Sequence, residues 1–281
     1  MISRKNNNLK IIIIFFVVSL YSLLPISWTV RTSLLKKVDL YDVSKIIIGK
    51  EYSLDYYRDI FGIDGGNILI ARNFKEAFFN SMITSILATL IICGIAILAG
   101  YVFARVKTRL SKFMFSLLLI TMVLPAYSVM IPLYKIMMSI SLLDTITGVT
   151  LIYISAYMPL AIWIMKNFFE SIPKEIEEAA QIDGASRFKS MIVVLPMIIP
   201  GIIATAIISF LSSWGQYAIP LVFASSKAQP LTVFLTTLIE KASVNFGLIS
   251  AGGIISIIPP VVIVIFLNKY LVNGLSKGAI K

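Results

Sequence analysis

Ser171-Ile-Pro-Lys-Glu-Ile-Glu-Glu-Ala-Ala-Gln-Ile-Asp-Gly-Ala-Ser186 is the most polar run in a long apolar half of the chain, and it lies between two candidate membrane spans. Pro173 has a fixed φ and no N–H, so it suits the first turn of a helix. Glu175, Glu177 and Glu178 fall in the opening turns, where the positive end of the helix dipole favours carboxylates. Ile176, Ala179, Ala180 and Asp183 follow at i, i+3, i+4 and i+7 and trace a narrow face of mostly small residues. Gly184 is the residue type that accepts the left-handed conformation in which many helices stop. Ala185-Ser186 then restarts a short helix toward Val193-Val194-Leu195-Pro196. The stretch predicts a compact knob with a shallow apolar face, suited to a groove on a soluble partner. A solvated amphipathic helix between spans is the plain alternative.

Composition sets the class. Of 281 residues, 58% are hydrophobic and 14% charged, with a mean hydropathy of +0.91. Soluble domains carry about 25% charged residues, so this chain lacks the polar surface that water demands and reads as a polytopic membrane protein. A net charge of +11 would suit nucleic acid, but the placement of the basic residues fits membrane orientation instead. Cys93 is the single cysteine, which excludes an internal disulfide and reads as a buried small residue. Histidine is absent, removing the commonest metal ligand and general base; no metal site is expected.

Outward from the knob, six spans are expected. Arg4, Lys5 and Lys10 precede an apolar run from Ile11 to Val30, long enough to cross ~30 Å of hydrocarbon. No alanine precedes Ala71, so an Ala-x-Ala cleavage site is missing and the run reads as an uncleaved first span. Residues 1–30 thus form the N-terminus and first span, and 31–73 a mixed-charge external loop with turns at Gly62, Gly65 and Gly66. A second span runs from Phe74 to Ala104, with Ala96, Gly100 and Ala104 spaced for close helix approach or simply as ordinary span composition. The third, Phe113 to Tyr134, contains Pro125 and Pro132, which imply kinks. The fourth covers Ile146 to Met165 with Pro159, and the knob lies in the 166–190 loop. The fifth reaches about Ile219, and the sixth runs from Leu248 to Leu267, interrupted by Pro259-Pro260. Residues 74–268 make the core, and 269–281 a tail.

Arg105, Lys107, Arg109 and Lys112 form a short basic loop without an acid. Three basic residues precede the first span and three follow the sixth (Lys269, Lys277, Lys281), against Lys135 alone and Lys227 with Lys241 in the short external loops. The positive-inside rule then places both termini and the knob in the cytoplasm. As drawn, no span contains Asp, Glu, Lys or Arg beyond Lys75 and Glu76 at the very start of the second, so the intramembrane relay of ion-coupled carriers is missing. No Gly-x-x-x-x-Gly-Lys-Ser/Thr loop is present. A transporter with neither relay nor nucleotide site must borrow its energy.

Glu178-Ala179-Ala180, Asp183-Gly184-Ala185 and Leu195-Pro196 resemble the cytoplasmic EAA loop of permease subunits in binding-protein-dependent ABC importers. Further matches are Ala104-Arg105, Ile131-Pro132-Leu133-Tyr134, Asp144-Thr145, Phe168-Phe169-Glu170-Ser171, Trp214, Pro220-Leu221, Pro230-Leu231-Thr232 and Gly274-Leu275-Ser276-Lys277-Gly278-Ala279. From about Asn80 onward the chain is similar to the carbohydrate type, in particular the second permease of maltose-like systems. Gly215-Gln216 stands where that type usually has asparagine, and the tail ends in Ile280-Lys281 rather than Val-Lys-Gly.

The resemblance implies an all-α fold of six spans, with a cytoplasmic coupling helix between spans four and five, in a bacterial or archaeal plasma membrane. It implies a second permease as heterodimer partner, two ATPase subunits carrying ATP and Mg, and an extracytoplasmic sugar-binding protein, with no cofactor on this chain. Glu178, Ala179, Ala180, Asp183, Gly184 and Ala185 would couple to the ATPase, Asp183 capping the second short helix. The 221–246 loop is similar in place to the segment that probes the binding protein's sugar cleft. Phe210, Trp214 and Tyr217, at i, i+4 and i+7, are candidates for a sugar path, or for interfacial anchoring. A permease for a non-sugar solute, or a polytopic scaffold, are the other readings.

Overall fold

The computed structural model describes residues 2–36, 51–124, 126–239 and 245–278. Pro125, Lys241 and the terminal Ala279-Ile280-Lys281 lie outside the described residues. Helices account for the architecture: α1 (Ile2–Leu34), α2 (Asp55–Phe61), α3 (Ile68–Arg105), α4 (Arg109–Thr121), α5 (Met130–Ser139), α6 (Ile146–Ser171), α7 (Glu175–Ile182), α8 (Arg187–Val194), α9 (Ile199–Trp214), α10 (Ala218–Phe223), α11 (Leu231–Thr237) and α12 (Phe246–Gly278). An isolated antiparallel bridge pairs Leu35 with Tyr52.

Among the described residues, five stretches are long and apolar enough to cross a membrane: Ile11–Leu34, Ile68–Arg105, Ile146–Ser171, Arg187–Trp214 and Phe246–Leu267. The expected third span is not one helix. It divides into α4 and α5, with a 3-10 turn at Ala126–Val129 before α5. Pro132 explains part of the division, since it sits in the first turn of α5, where a missing N–H leaves no helical acceptor unpaired.

Other boundaries move for local reasons. α3 starts at Ile68 rather than Phe74 because the Asn67 side chain accepts the N–H groups of Leu69 and Ile70. The fifth span stops at Trp214, short of Ile219, and Gly215 caps it. α12 runs unbroken through Pro259-Pro260, which membrane helices tolerate when neighbours satisfy the freed carbonyls.

The chain forms two compact units. One comprises Met1–Glu76 with Phe234–Ile258. There the expected 31–73 loop contains α2, which ends on left-handed Gly62. Ser33 hydrogen-bonds Tyr57 at 2.8 Å, and Asp59 accepts the Asn67 N–H. Tyr56 packs against Gly247, where a Cβ would lie 2.1 Å from the ring. Phe74 meets Phe234 edge-on. The apolar window of α1 buries nothing in this unit, whereas Ser33 and Leu35 at its end are buried.

The other unit comprises Ala77–Val233 with Pro259–Lys281. Its core is a stripe on α3 (Ala88, Ile92, Ala96, Ala104) against Ile162, Met165 and Phe169 of α6. The four-residue spacing of small side chains lets the helices touch: a Cβ on Gly100 would lie 2.7 Å from the Met165 Cβ and 2.9 Å from the Lys166 nitrogen. On α9, Gly201 abuts the Phe168 ring. Gly100→Val should therefore destabilise the purified protein by about 1–3 kcal/mol through overpacking. Gly94→Ala, on the same helix with nothing within 4 Å, should be neutral or stabilising by about 0.5–1 kcal/mol. Thermal melts in detergent distinguish the two.

Candidate functional site

The knob forms because a proline and a glycine punctuate the chain at the right places. Pro173 pushes the preceding residue away from helical backbone, and Ile172 is extended at φ −87°, ψ 128°, which ends α6. Pro173 itself stands just ahead of α7, whose cap is Lys174, rather than inside its first turn. Gly184 takes φ +85° with open space around it, so the constraint there is backbone conformation and not crowding. The Gly184 N–H donates to the Gln181 carbonyl and the Ala185 N–H to that of Ala180. These two bonds satisfy the carbonyls that the end of α7 leaves open.

Asp183 is the C-terminal cap of α7 and does not cap α8, as had been expected. Ser186 does that, accepting the Lys189 N–H. Three residues closer to the new helix, its extended backbone suits the role.

The inward face of α7 is Ile176, Glu177 and Ala180, so the small face expected for docking is split, with Ile176 and Ala180 half-buried. Ala179 and Asp183 are exposed. Glu177 turns inward because it has partners on α3. Its carboxylate accepts from the Arg105 Nε at 2.7 Å and from the Tyr101 hydroxyl at 2.9 Å. Arg105 Nη2 lies 2.6 Å from the same carboxylate and donates to the Ile172 carbonyl at 3.1 Å. One guanidinium therefore holds the end of α6 and the start of α7 together. Its planar fork suits such convergent acceptors better than an ammonium would. A groove of about 530 Å³ opens beside this cluster, lined by Tyr101, Arg105, Lys174, Glu177, Arg187 and Phe188, among others.

Glu178 points to solvent, as does Ala179. Ile182 is 86% exposed and Phe188 is 61% exposed, an apolar tip that water does not favour. The sequence pointed to neither residue, nor to Tyr101, and it marked Glu177 only as a first-turn carboxylate and Arg105 only as part of a basic loop and a family match. Ile182 and Phe188 flank the Gly184 corner as large apolar residues in a polar run, which was a usable signal. The partnership of Arg105 with Glu177 spans 72 positions and had none.

The expected aromatic set divides. Phe210 is 3% and Trp214 6% exposed; their rings stack at 5.7 Å, and Trp214 meets Phe78 edge-on. Tyr217, past the end of α9, is 39% exposed. Beside it Gln216 donates to the Tyr157 hydroxyl at 2.8 Å and accepts the N–H groups of Tyr217 and Ala218.

The segment before α11 is held by side chains from elsewhere in this unit. Asp144, with φ +54°, accepts the N–H groups of Ser226, Lys227 and Ala228. Asn80 donates to the carbonyls of Lys227 and Gln229, and Ser81 accepts the Leu231 N–H at 2.8 Å.

Apolar helical spans with a braced helical knob between two of them are the parts of a multi-pass membrane protein. Residues 94–277 match the family described as binding-protein-dependent transport system inner membrane component, and the chain belongs to that family. It is 34% identical over 222 residues to a melibiose/raffinose/stachyose import permease of Bacillus subtilis, covering 75% of this chain and 80% of that one. A trehalose transport system permease of Mycobacterium tuberculosis is 31% identical, with 93% of each chain covered. In fold it is similar to a chain of a bacterial ABC transporter involved in import of the acidic polysaccharide alginate, with a TM-score of 0.79 at 20% identity, covering 95% of this chain and 97% of that one.

Glu177→Ala would leave the Arg105 charge buried and unpaired, so it should destabilise the protein by about 3–5 kcal/mol. Glu178→Ala, one residue on, should stay within about 0.5 kcal/mol of wild type. Denaturation in detergent micelles measures both.

Proposed function

We propose that this chain is one of two permease subunits of an ATP-driven sugar importer, and that the α7–α8 knob is its coupling element. The observation carrying the reading is the exposed Ile182 and Phe188 pair flanking left-handed Gly184, on a knob braced from behind by a buried ion pair. An apolar tip on a rigid base suits insertion into a cleft, and in this reading the cleft belongs to a cytoplasmic ATPase. ATP and Mg then sit on the two ATPase subunits. Glu178 offers polar contact, Ala179 and Ala180 allow close approach, Asp183 and Ala185 complete the corner, and Gly184 turns it.

In this reading α4 and α5 together make the third crossing, giving six, with both termini and the knob cytoplasmic. A second permease completes the translocation path, and an extracytoplasmic binding protein delivers the solute. The import permeases among the relatives favour a sugar. Phe210 and Trp214 brace the helices beside the path, and Tyr217 is the ring left to stack on a sugar. ATP closure of the ATPase pair favours one of two arrangements of the helices, and a loaded binding protein favours the same one.

Co-expression of a tagged copy with candidate ATPase, second permease and binding protein tests this. Wild type should retain the ATPase through affinity purification. Ile182→Asp and Gly184→Pro should each lower retention at least about tenfold, the first by desolvating a charge at the contact, the second by fixing φ near −65°. Retention of ATPase by both variants at wild-type level would place the docking surface elsewhere. Radiolabelled uptake across a sugar panel, with polyamine and peptide controls, then identifies the solute.

A further inference from the structure

The knob's brace and the clasp on the segment before α11 are built on the same helix. Tyr101 and Arg105 hold the knob from one end of α3, and Asn80 and Ser81 hold residues 227–231 from the other. From Ser81 to Arg105 the helix advances roughly 36 Å, slightly more than the ~30 Å hydrocarbon thickness of a bilayer. Each of the other four candidate spans carries proline: Pro25, Pro159, Pro196 with Pro200, and Pro259 with Pro260. α3 has none, so its ladder of hydrogen bonds runs uninterrupted between the two clasps. Both clasps also bind backbone groups: the Ile172 carbonyl at one end, and the carbonyls of Lys227 and Gln229 with the Leu231 N–H at the other. A shift of α3 along or about its axis therefore displaces main chain at both ends at once. Between them Gly100 packs against α6 so closely that a Cβ has no room, which channels that shift into sliding or rotation against α6.

We propose that α3 is a connecting rod that couples the α7–α8 knob to the 224–231 segment on the opposite membrane face. Asn80, Ser81, Tyr101 and Arg105 are its positioning residues, and the exposed Ser225, Ser226 and Lys227 are what its far end presents. Its use in transport rests on the coupling reading above; the mechanical link itself does not. Docking at the knob changes the outer segment through α3, and a partner that grips the outer segment changes the knob by the same factor.

Amide hydrogen exchange on the full-length chain in lipid nanodiscs, with no ATPase present, tests the link. Glu177→Gln loosens the knob clasp and should raise exchange about tenfold at the Leu231 amide as well as locally in residues 175–190. Asn80→Ala should, reciprocally, raise exchange in residues 175–190. In the double variant the Leu231 amide should exchange no faster than in Asn80→Ala alone, because the two clasps act in series. If Glu177→Gln does not assemble, Tyr101→Phe removes one bond of the same clasp and carries the same expectation at lower amplitude. Faster exchange confined to the mutated end, or additive effects in the double variant, would overturn the rod. Either result would leave ATPase docking at the knob untouched, and failed docking with coupled exchange would overturn only the importer reading.

Discussion

A buried carboxylate cannot stay ionised in a protein interior without partners, and the position of the knob follows from where Glu177 finds them. Two donors meet at that carboxylate, Arg105 from the end of a membrane helix and the Tyr101 hydroxyl one turn earlier on the same face. Arg105 also donates to the Ile172 carbonyl at the end of α6, which ties that end to the same cluster. Desolvating such a pair offsets much of its Coulomb attraction, so its contribution is better read as placement than as net stability. An apolar pair in the same space would pack, but it would tolerate sliding. The ion pair, with directional bonds to a planar guanidinium, does not. α7 is therefore fixed in register as well as attached.

The contrast between the knob's two sides follows from that placement. Its inner face is occupied by Ile176, Glu177 and Ala180, while its outer tip leaves Ile182 and Phe188 in solvent. Short helices of this kind have little intrinsic stability, and here Gly184, Ser186 and the Arg105 clasp supply what length does not. The rigid base is what allows an apolar tip to stay exposed without collapsing onto the bundle.

Much of the architecture was legible because membrane spans are written in composition. Runs of apolar residues, the punctuation of Pro173 and Gly184, and the small stripe on α3 required no long-range information. Where reading failed, the deciding contacts were distant or the side chains ambiguous. Residues 113–134 are apolar throughout, and hydropathy alone could not show that two short helices replace one. Asn67 looked like loop and is a helix cap. Three neighbouring glutamates looked alike, although Glu177 alone is buried, because its partners lie on a helix that ends 72 positions earlier in the chain. The stripe of Phe210, Trp214 and Tyr217 assumed one continuous helix, but α9 ends at Trp214 and turns the third ring away from the first two.

The bare flank of α1 leaves a mark on how this sequence can change. From Ile11 to Leu24 nearly every side chain faces outward, with no neighbour inside the chain to fit. Exchanges among Ile, Val, Leu and Phe there leave the apolar thickness intact, so drift in that stretch is free as long as the letters stay greasy. The last turn is different: Ser33 and Leu35 are packed, and Ser33 bonds Tyr57. Within one helix, then, homologous chains should diverge quickly along the first part and slowly at its end.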